Sequence, residues 1–278
     1  MVSFENKDDL LRFFSFFDQI KGNIEHSFFN SNQVLGKCDY CNSIKTMQNI
    51  VASNGEWINR RDQFICEECG LSSRLRSFYN ALKVYAKKDG RNVIFEKTTV
   101  FFQLLANKND SFIGTEYFED HDPGVNVNFS GLTVRNENIM SSTFEDSSFD
   151  LVAHQEVLEH VPNPDLALVD NYRILKPGGF LIFTAPFYHH IKETIINAKV
   201  SDGEVVHLRE PVYHGNPLSE EGSLVFQIFG QNFLDLFFSI GFRKAWIEFD
   251  FDVTRCVFSC GNPHPIGQMY PVVFFGYK

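Results

Sequence analysis

The sequence lacks any run of about 18 apolar residues, the length that a membrane-spanning helix needs. Its start, MVSFENKDDLL, also lacks a basic stretch leading into an apolar one, so no secretory signal is expected there. Hydrophobic residues make up 44% of the 278 residues, and phenylalanine alone accounts for 31 of them. This composition is typical of a globular protein with a sizeable core, and we predict a cytoplasmic protein.

An overall basic charge is absent as well, since the net charge is −10. Residues 37–91 hold ten Lys and Arg against six Asp and Glu, whereas residues 92–278 hold twelve against twenty-four. Proteins bind nucleic-acid duplexes through broad basic faces, so the acidic larger part of the chain argues against a nucleic-acid substrate. The small basic segment leaves a local contact with an anion open.

Cysteine is sparse, but four of the six cysteines form two CxxC pairs separated by 24 residues. Four thiolates at this spacing favour a closed tetrahedral zinc site, which is structural because no coordination position is open. An iron site of the rubredoxin type is the remaining alternative, since disulfides are rare in the cytosol and a redox pair needs only one CxxC. Cys256 and Cys260 are expected in the core or in a loop. The predicted zinc ligands are Cys38, Cys41, Cys66 and Cys69.

The most informative stretch predicts a strand, a helix and a second strand. Apolar runs at residues 151–153 and 180–184 are typical of buried strands. Between them, apolar residues recur at helical spacing (Leu168, Tyr172 and Leu175), and the Lys-Pro-Gly-Gly of residues 176–179 predicts the end of that helix. A unit of this size is a parallel crossover, which indicates an α/β sheet.

The strings FDLV, QEVLEHVPNP, YRILKPGG and TAPF in this stretch resemble class I S-adenosylmethionine-dependent methyltransferases, most closely the group that reads LEH–P and then LKPGG. The resemblance covers about two-thirds of the chain, from roughly Arg91 to Lys278. It implies a seven-stranded, doubly wound, Rossmann-like sheet that follows the small N-terminal zinc module. It also implies transfer of the sulfonium methyl group of S-adenosylmethionine to an acceptor.

The resemblance further implies a cofactor site at the strand ends. Glu96 ends the first strand, and Glu116 ends the second, where an acid accepts hydrogen bonds from the ribose hydroxyls. The loop after Glu96 reads Lys-Thr-Thr where the family has glycines that let the backbone approach the cofactor. Counting back from Phe149 puts Asn138 at the position that reads the adenine amino group. The predicted cofactor residues are Glu96, Lys97, Thr98, Glu116, Tyr117, Asn138, Ile139, Gln155 and Glu156.

Residues 187–223 form a polar insertion after the fifth strand, on the side that faces the substrate in the resembled fold. The insertion is rich in histidine, whose pKa suits a general base. His189, His190 and His214 are the candidate bases, and the alternative is a lid whose histidines only make hydrogen bonds. A metal site among them is left open because their spacing is not diagnostic. Glu159 and His160 lie beside the end of the fourth strand, and His160 is interpreted as structural.

The predicted domains are an amphipathic N-terminal helix segment (1–36), the zinc module (37–76) and the methyltransferase domain (77–278), with a substrate lid at about 187–223. The N-terminal helix is expected to pack on the protein's own domain or on a partner chain. A final helix closed by Gly241 and two antiparallel strands are expected to complete the sheet. The oligomeric state is not predicted.

We predict O-methylation of a small molecule or glycan, because the insertion holds candidate bases and the larger part of the chain is acidic. Two alternatives stay open. In the first, the glycine-free loop no longer binds the cofactor, and the protein is a zinc-stapled scaffold. In the second, the basic module serves a nucleic-acid methyltransferase, although the chain lacks the Asn-Pro-Pro-Tyr or Asp-Pro-Pro-Tyr string that base-methylating enzymes often carry.

Overall fold

The computed structural model describes residues 1–28, 33–49, 59–216, 218–259 and 269–278. Cys260 and the predicted loop at residues 262–265 therefore lie outside the described residues. The helices are α1 (Lys7–Phe28), α2 (Arg60–Gln63), α3 (Ser73–Tyr85), α4 (Val100–Lys108), α5 (Pro164–Ile174) and α6 (Phe233–Ile240), with a 3₁₀ turn at Leu158–His160. The strands are β1 (Val2–Phe4), β2 (Gln33–Cys38), β3 (Ser43–Asn49), β4 (Phe64–Cys66), β5 (Asn92–Ile94), β6 (Phe112–Glu116), β7 (Asn126–Phe129), β8 (Leu132–Asn136), β9 (Phe149–Gln155), β10 (Leu175–Thr184), β11 (Ile195–Ile196), β12 (Ala198–Ser201), β13 (Glu204–His207), β14 (Tyr213–Asn216), β15 (Ser219–Leu224), β16 (Gln227–Ile228), β17 (Lys244–Phe249) and β18 (Val272–Tyr277).

A mixed central sheet organises the larger part of the chain, in the order β1-β17-β18-β10-β9-β5-β6-β8-β7. Strands β8, β6, β5, β9 and β10 run parallel, and the predicted antiparallel closing pair, β17 and β18, is confirmed. The predicted count of seven strands is wrong, since the described residues form nine. The two additional strands, β1 and β7, are short and pair antiparallel with the outermost predicted strands.

The strand order reverses direction at β5. From β5 the chain continues to β6 and β8 on one side, and then returns to β9 and β10 on the other side. In open parallel sheets, ligands bind outside the carboxyl ends of the strands at such a switch point. The residues that follow β5, β6 and β9 are therefore placed where a ligand is expected.

Helices cover both faces of the central sheet, and the side chains of β10 pack alternately against one face and the other. Leu181 and Phe183 point into a core that contains residues of α1, α5 and α6. Ile182, between them, points into a second core formed with α3 and α4. Successive side chains of a strand face opposite sides, so a continuous apolar run is the pattern of a strand buried on both faces.

Helix α5 ends a few residues earlier than the sequence predicts. Asn163 caps it by accepting hydrogen bonds from the amides of Asp165 and Leu166, and Pro164 occupies the first turn. The helix ends at Ile174, so the predicted stop at residues 176–179 is wrong by a few residues. These residues belong to β10, whose pairing with β9 is irregular there because Gly178 adopts a φ of 81°.

The N-terminal segment packs on the protein's own sheet, one of the two options that its amphipathic pattern left open. Leu10, Phe14 and Phe17 of α1 are buried in the core that also holds α5 and α6. Burying each such side chain contributes about 1.5–3 kcal/mol before entropy losses. Among the described residues, none of the helices is both long and apolar enough to cross a membrane.

Two smaller parts flank the carboxyl edge of the central sheet. Strands β2, β3 and β4 form a separate antiparallel sheet that carries the CxxC pairs, and α3, which follows it, packs on β10 and β18. The residues after β10 form the short hairpins β12–β13 and β14–β15. The domain boundaries at 36/37 and 76/77 and the limits of the lid remain predictions.

Candidate functional site

The carboxyl edge at the switch point is built around Glu96, which lies two residues beyond the end of β5 and is buried. One carboxylate oxygen accepts a hydrogen bond from Thr99 Oγ1 at 2.8 Å, and the other accepts one from the Gln155 side chain at the end of β9. Burial, reinforced by the negative charge of Glu116, raises the pKa of Glu96 to about 7. The carboxyl group therefore changes charge close to neutral pH.

Glu116, at the end of β6, holds the loop that follows Glu96. Its Oε1 accepts hydrogen bonds from the backbone amides of Lys97 and Thr98 and from Thr98 Oγ1, each at 2.8 Å. A carboxylate that accepts several N–H and O–H groups stabilises a tight backbone turn. The predicted cofactor residues Lys97 and Thr98 are thus in direct contact with Glu116, the predicted ribose acid.

The other predicted cofactor residues lie around this edge with different exposure. Asn138 Oδ1 accepts a hydrogen bond from the amide of Met140 at 2.9 Å, which fixes the turn after β8. Ile139 is buried in the core, whereas Tyr117 is exposed. Glu156, which follows β9, has a φ of 49°. A residue without glycine's freedom pays strain for this left-handed conformation, and such strain clusters at functional sites.

Two arginines of the cysteine-containing part reach the end of β9. Arg61 is buried and donates to Glu156 Oε1 at 2.9 Å and to Asp62 Oδ2 at 2.8 Å. Arg74 donates to Asp62 Oδ1 at 2.7 Å and to Gln155 Oε1 at 2.9 Å. Burial alone would raise the pKa of Asp62 and of Glu156, but the two guanidinium groups hold both below their ordinary values. This network joins the small sheet to the edge through two cations and two anions.

A second titratable cluster lies one turn beyond Glu156. Glu159 is fully buried, and its Oε1 lies 3.6 Å from His160 Nε2 and 4.0 Å from His214 Nδ1. Burial, together with the charge of Glu156, raises the pKa of Glu159 well above its ordinary value. Burial also lowers the pKa of His160 and of His214. Without a further cation, all three groups are therefore held toward their neutral forms.

The three candidate bases are placed in different surroundings. His214 is on β14, beside Glu159, and is partly exposed. His189 is buried, stacks on Phe14 with ring centroids 4.2 Å apart, and has its Nε2 3.1 Å from Asp18 Oδ2, so it packs against α1. His190 is exposed. Of the three, His214 is the one that the structure brings to the end of β9.

The four predicted metal ligands converge. Cys38 ends β2 and Cys66 ends β4, and the second cysteine of each pair lies in the turn that follows. The four Sγ atoms lie within 4.8 Å of one another, and those of Cys38 and Cys69 are 3.7 Å apart. Sulfurs that each bind zinc at about 2.3 Å lie roughly 3.8 Å apart in a tetrahedron, so the spacing fits. After the second pair, Gly70 turns the chain with a φ of 74°.

The acidity of these thiols also favours a cation. A hydrogen bond from Cys69 lowers the pKa of Cys38 to about 5. Burial and the neighbouring Cys38 thiolate raise the pKa of Cys41 to about 12. Because neighbouring thiolates repel each other, the four packed thiols cannot all lose their protons unless a cation is bound between them. A divalent metal ion would offset this repulsion. Cys256 is buried beside the cluster, as expected of a core cysteine.

The sequence interpretation missed Arg61, Arg74 and Glu159 as site residues. Arg61 and Asp62 lie in a polar stretch between the CxxC pairs, and nothing local distinguishes them from a solvated loop. Arg74 is one of ten Lys and Arg in residues 37–91, and its sequence neighbours do not distinguish it from the others. The only sequence feature that singles out Glu159 is its position between the apolar residues Leu158 and Val161. An acid buried there without a partner is costly in free energy.

The comparison with known families matches residues 101–183 to the family described as "Methyltransferase domain". A ubiquinone/menaquinone biosynthesis C-methyltransferase of Psychromonas ingrahamii is 34% identical over 92 residues, 32% of this chain and 36% of that protein. A ubiquinone biosynthesis O-methyltransferase of Agrobacterium fabrum is 26% identical over 139 residues, 49% of this chain and 52% of that protein. The matched segments thus span a third to about half of these two relatives.

Among solved structures, an S-adenosylmethionine-dependent methyltransferase from Mesorhizobium loti is 15% identical, with a TM-score of 0.45 over 72% of this chain and 96% of that chain. A possible histamine N-methyltransferase from Thermotoga maritima is 20% identical, with a TM-score of 0.41 over 73% of this chain and 89% of that chain. The family match includes Glu116 and Gln155, and it begins just after Glu96. Residues 101–183 are therefore similar to a methyltransferase domain, and the described residues form a Rossmann-like α/β fold with a mixed central sheet.

Proposed function

We propose that the chain is an S-adenosylmethionine-dependent methyltransferase that methylates an oxygen atom of a small molecule or glycan. The observation that carries the proposal is the convergence of Glu96, Glu116 and Gln155 on the carboxyl edge at the switch point. Two of these residues lie inside the segment that matches the methyltransferase family. Ligands of open parallel sheets bind at this place.

In this proposal, Glu116 accepts the ribose hydroxyls, and Asn138 accepts from the adenine amino group through its second carbonyl lone pair. Ile139 packs beside the base, and Tyr117 lies at the exposed rim. Glu96, Lys97, Thr98, Gln155 and Glu156 surround the amino-acid end. S-adenosylmethionine supplies a methyl group on a positively charged sulfur. The residues of the chain align the acceptor with that methyl group and exclude water, and such alignment supplies much of the rate of a displacement.

The choice of an oxygen acceptor is supported by the relatives. Four of the six similar curated proteins are named ubiquinone biosynthesis O-methyltransferases, and one is named a C-methyltransferase. His214 is the candidate base with the best position, because it lies beside the end of β9. His189 and His190 remain candidates whose surroundings favour hydrogen bonding and solvent exposure, respectively.

Titration calorimetry with S-adenosylmethionine and with its demethylated product tests the cofactor site. We expect micromolar binding that Glu116→Ala abolishes, because the acid that orders the loop and receives the ribose is removed. Glu119→Ala is the matched control, since Glu119 is an exposed acid in the loop after β6 and should leave binding unchanged. Circular dichroism of both variants verifies that the proteins are folded.

One specific observation favours a second candidate function, a zinc-stapled scaffold. Glu116 Oε1 already accepts three hydrogen bonds from its own loop, and Arg61 and Arg74 cover the end of β9. In this alternative the edge is occupied by the protein itself, and a partner protein binds elsewhere. The absence of calorimetric binding by folded, zinc-loaded protein would favour the scaffold and contradict the enzyme.

We also propose that Cys38, Cys41, Cys66 and Cys69 hold a structural zinc ion. Four thiolates fill a tetrahedral zinc ion completely, so this ion would supply no open position for chemistry. Its part is to fix the turns from which Arg61 and Arg74 reach β9. Thiolate ligands need reducing surroundings, which is consistent with a cytoplasmic protein.

A further inference from the structure

Glu159 is a buried carboxyl group that has no hydrogen-bond partner among the described residues. Neither of its oxygens makes a hydrogen bond within the described part of the chain, and the side chain has no exposed surface. A buried carboxyl group that keeps no partner is destabilising, so proteins pair it, protonate it or use it as a metal ligand. Its nearest titratable neighbours are the imidazole rings of His160 and His214.

The arginines nearby do not supply the missing partner. Arg61 and Arg74 have two positive charges, and their hydrogen bonds go to Asp62, Glu156 and Gln155. The two guanidinium groups and the two carboxylates of this network balance each other. An ionised Glu159 would therefore carry a charge that the network leaves uncompensated, and a cation bound at Glu159 would compensate it.

His160 is oriented as metal-bound histidines usually are. Its Nδ1 lies 2.9 Å from the carbonyl oxygen of Leu224, so Nδ1 carries the proton and donates it to that oxygen. The lone pair of Nε2 is then available on the side of Glu159, 3.6 Å from Oε1. A backbone carbonyl that fixes the tautomer of a histidine is the usual second interaction of a metal ligand.

The third ligand comes from the hairpin β14–β15. His214 pairs with Ser223, and the neighbouring Tyr213 pairs with Leu224, whose carbonyl oxygen orients His160. The 3₁₀ turn that carries Glu159 is held by Gln227, which donates to the carbonyl oxygens of Leu158 and Val161 at 2.6 and 2.9 Å. The hairpin therefore positions two of the three groups, and Gln227 holds the turn that carries the third.

We propose that Glu159, His160 Nε2 and His214 Nδ1 bind a divalent transition-metal ion. One ligand atom from each residue lies within 4.8 Å of the others. Ligands at about 2.0–2.2 Å from one ion lie roughly 3.0–3.5 Å apart, so binding needs shifts below about 1 Å in side chains. Two imidazoles and one carboxylate suit Mn²⁺, Fe²⁺, Co²⁺, Ni²⁺ or Zn²⁺. The His214 side chain is 42% exposed, so the site opens toward solvent and has coordination positions for an outside ligand.

The role of the ion rests on the proposed function, although its binding does not. A hydroxyl group that binds the ion at an open position loses its proton to water more readily than a free one. The resulting oxygen attacks the methyl carbon, the carbon–sulfur bond breaks, and its electron pair remains on sulfur as a neutral thioether. The acceptor class is then a hydroxylated compound that coordinates a metal, and His214 acts as a ligand rather than as a free base.

The binding of Mn²⁺ to the zinc-loaded full-length protein tests the site. Mn²⁺ is the probe because the four thiolates prefer softer ions, so the cysteine cluster does not compete. Electron paramagnetic resonance of the free ion should show one Mn²⁺ bound per chain. We expect Glu159→Gln and His214→Asn each to weaken binding by about 30-fold or more, because even the loss of an outer-shell partner of a metal ligand typically costs about 10–100-fold in affinity. His207→Asn, an exposed histidine in the same insertion, should bind like the wild type.

Thermal unfolding separates ligand loss from misfolding. Glu159→Gln should be as stable as the metal-free wild type, because an amide replaces a carboxyl of the same shape. Saturating Mn²⁺ should raise the Tm of the wild type and of His207→Asn but not that of Glu159→Gln. Equal Mn²⁺ binding by the wild type and both ligand variants would overturn the proposal. Glu116→Ala distinguishes the two proposals, since it should lose the cofactor and keep the Mn²⁺.

Discussion

The four-cysteine cluster and the Glu159–His160–His214 cluster both bring metal-ligand side chains together, but the chain assembles them differently. Each CxxC pair supplies two ligands from a single turn, so two local turns and one strand pairing complete the first cluster. In the second cluster, only Glu159 and His160 are neighbours, and His214 arrives from a hairpin that folds back across the end of β9.

This difference decides what each cluster can do. The cysteine cluster offers four soft ligands that would fill a tetrahedral ion completely, so the proposed contribution of that ion is to folding. The second cluster offers three ligands, one of them on a partly exposed hairpin, so an outside molecule has access. Between the two clusters lie Arg61 and Arg74, which connect the small sheet to the carboxyl edge of the central sheet. Predictions on these parts test the contrast.

The largest effect is expected from Cys66→Ser, which removes one of the four thiolates. Structural zinc contributes about 10–16 kcal/mol of binding free energy in small zinc domains, so the variant should lose its zinc and more than about 3 kcal/mol of stability. Zinc content and urea-induced unfolding measure this. Cys256→Ser is the control, because Cys256 is buried beside the cluster and is not among the four ligands. A variant at Cys66 that retains stoichiometric zinc would contradict the closed site.

The next largest effect is expected from Arg61→Ala. The substitution leaves Glu156 and Asp62 without their buried partner, which typically costs about 3–5 kcal/mol. Urea-induced unfolding measures the loss. Arg209→Ala, at an exposed arginine, should change stability by less than about 0.5 kcal/mol. If Arg61→Ala with Glu156→Gln is no more stable than Arg61→Ala alone, the buried charge of Glu156 is not the cause.

A pH-dependent effect is expected from Glu96. Its pKa is about 7 in the folded protein and about 4.3 when unfolded, so the folded state binds more protons between these values. Stability from this group is therefore highest below about pH 4.3 and falls as the pH rises to 7, by roughly 4 kcal/mol in total. Glu96→Gln should remove this fall. Unfolding free energies from pH 5 to 8 for both proteins check it, and parallel pH profiles would mean that Glu96 titrates normally.

The sequence predicts the parts of the molecule that local patterns specify. The CxxC turns, the apolar runs of β9 and β10 and the cap of α6 at Gly241 each leave a signal within a few residues. So do Glu96, just after β5, and Glu116, at the end of β6. The edge strands β1 and β7 leave little signal, because three or four residues carry no clear period. They form because the exposed edges of a sheet accept further strands.

The missed site residues share one cause. The roles of these residues depend on their burial and on partners that are distant in the sequence. The residues next to Arg61, Arg74 and Glu159 indicate neither the burial nor the partners. Arg61 contacts Glu156 across the join between the small sheet and the central sheet. The cluster at Glu159 depends on the register of β14 with β15, which sets where His214 points. A shift of register by one residue would move that side chain to the other face.

The smallest effect, and the sharpest test of the contrast, is expected from Gly222→Ala in this hairpin. A Cβ at residue 222 would lie 2.4 Å from the carbonyl oxygen of His214, and the φ of 80° also disfavours any other residue. We expect a stability loss of about 1–2 kcal/mol and a Mn²⁺ affinity lowered by about tenfold, because the backbone at His214 must move. Zinc at the cysteine cluster should be unaffected.

Gly203→Ala is the matched control for this substitution. Gly203 has a φ of 82° in the neighbouring hairpin, and a Cβ there would meet no atom within 4 Å. Both variants therefore carry the same backbone strain, and only Gly222→Ala displaces His214. Equal Mn²⁺ affinities for the two variants would show that the hairpin does not position a ligand, and the second cluster would then lose the feature that distinguishes it from the first. A selective loss in Gly222→Ala would mean that long-range strand pairing controls metal binding at one cluster, while local turns control it at the other.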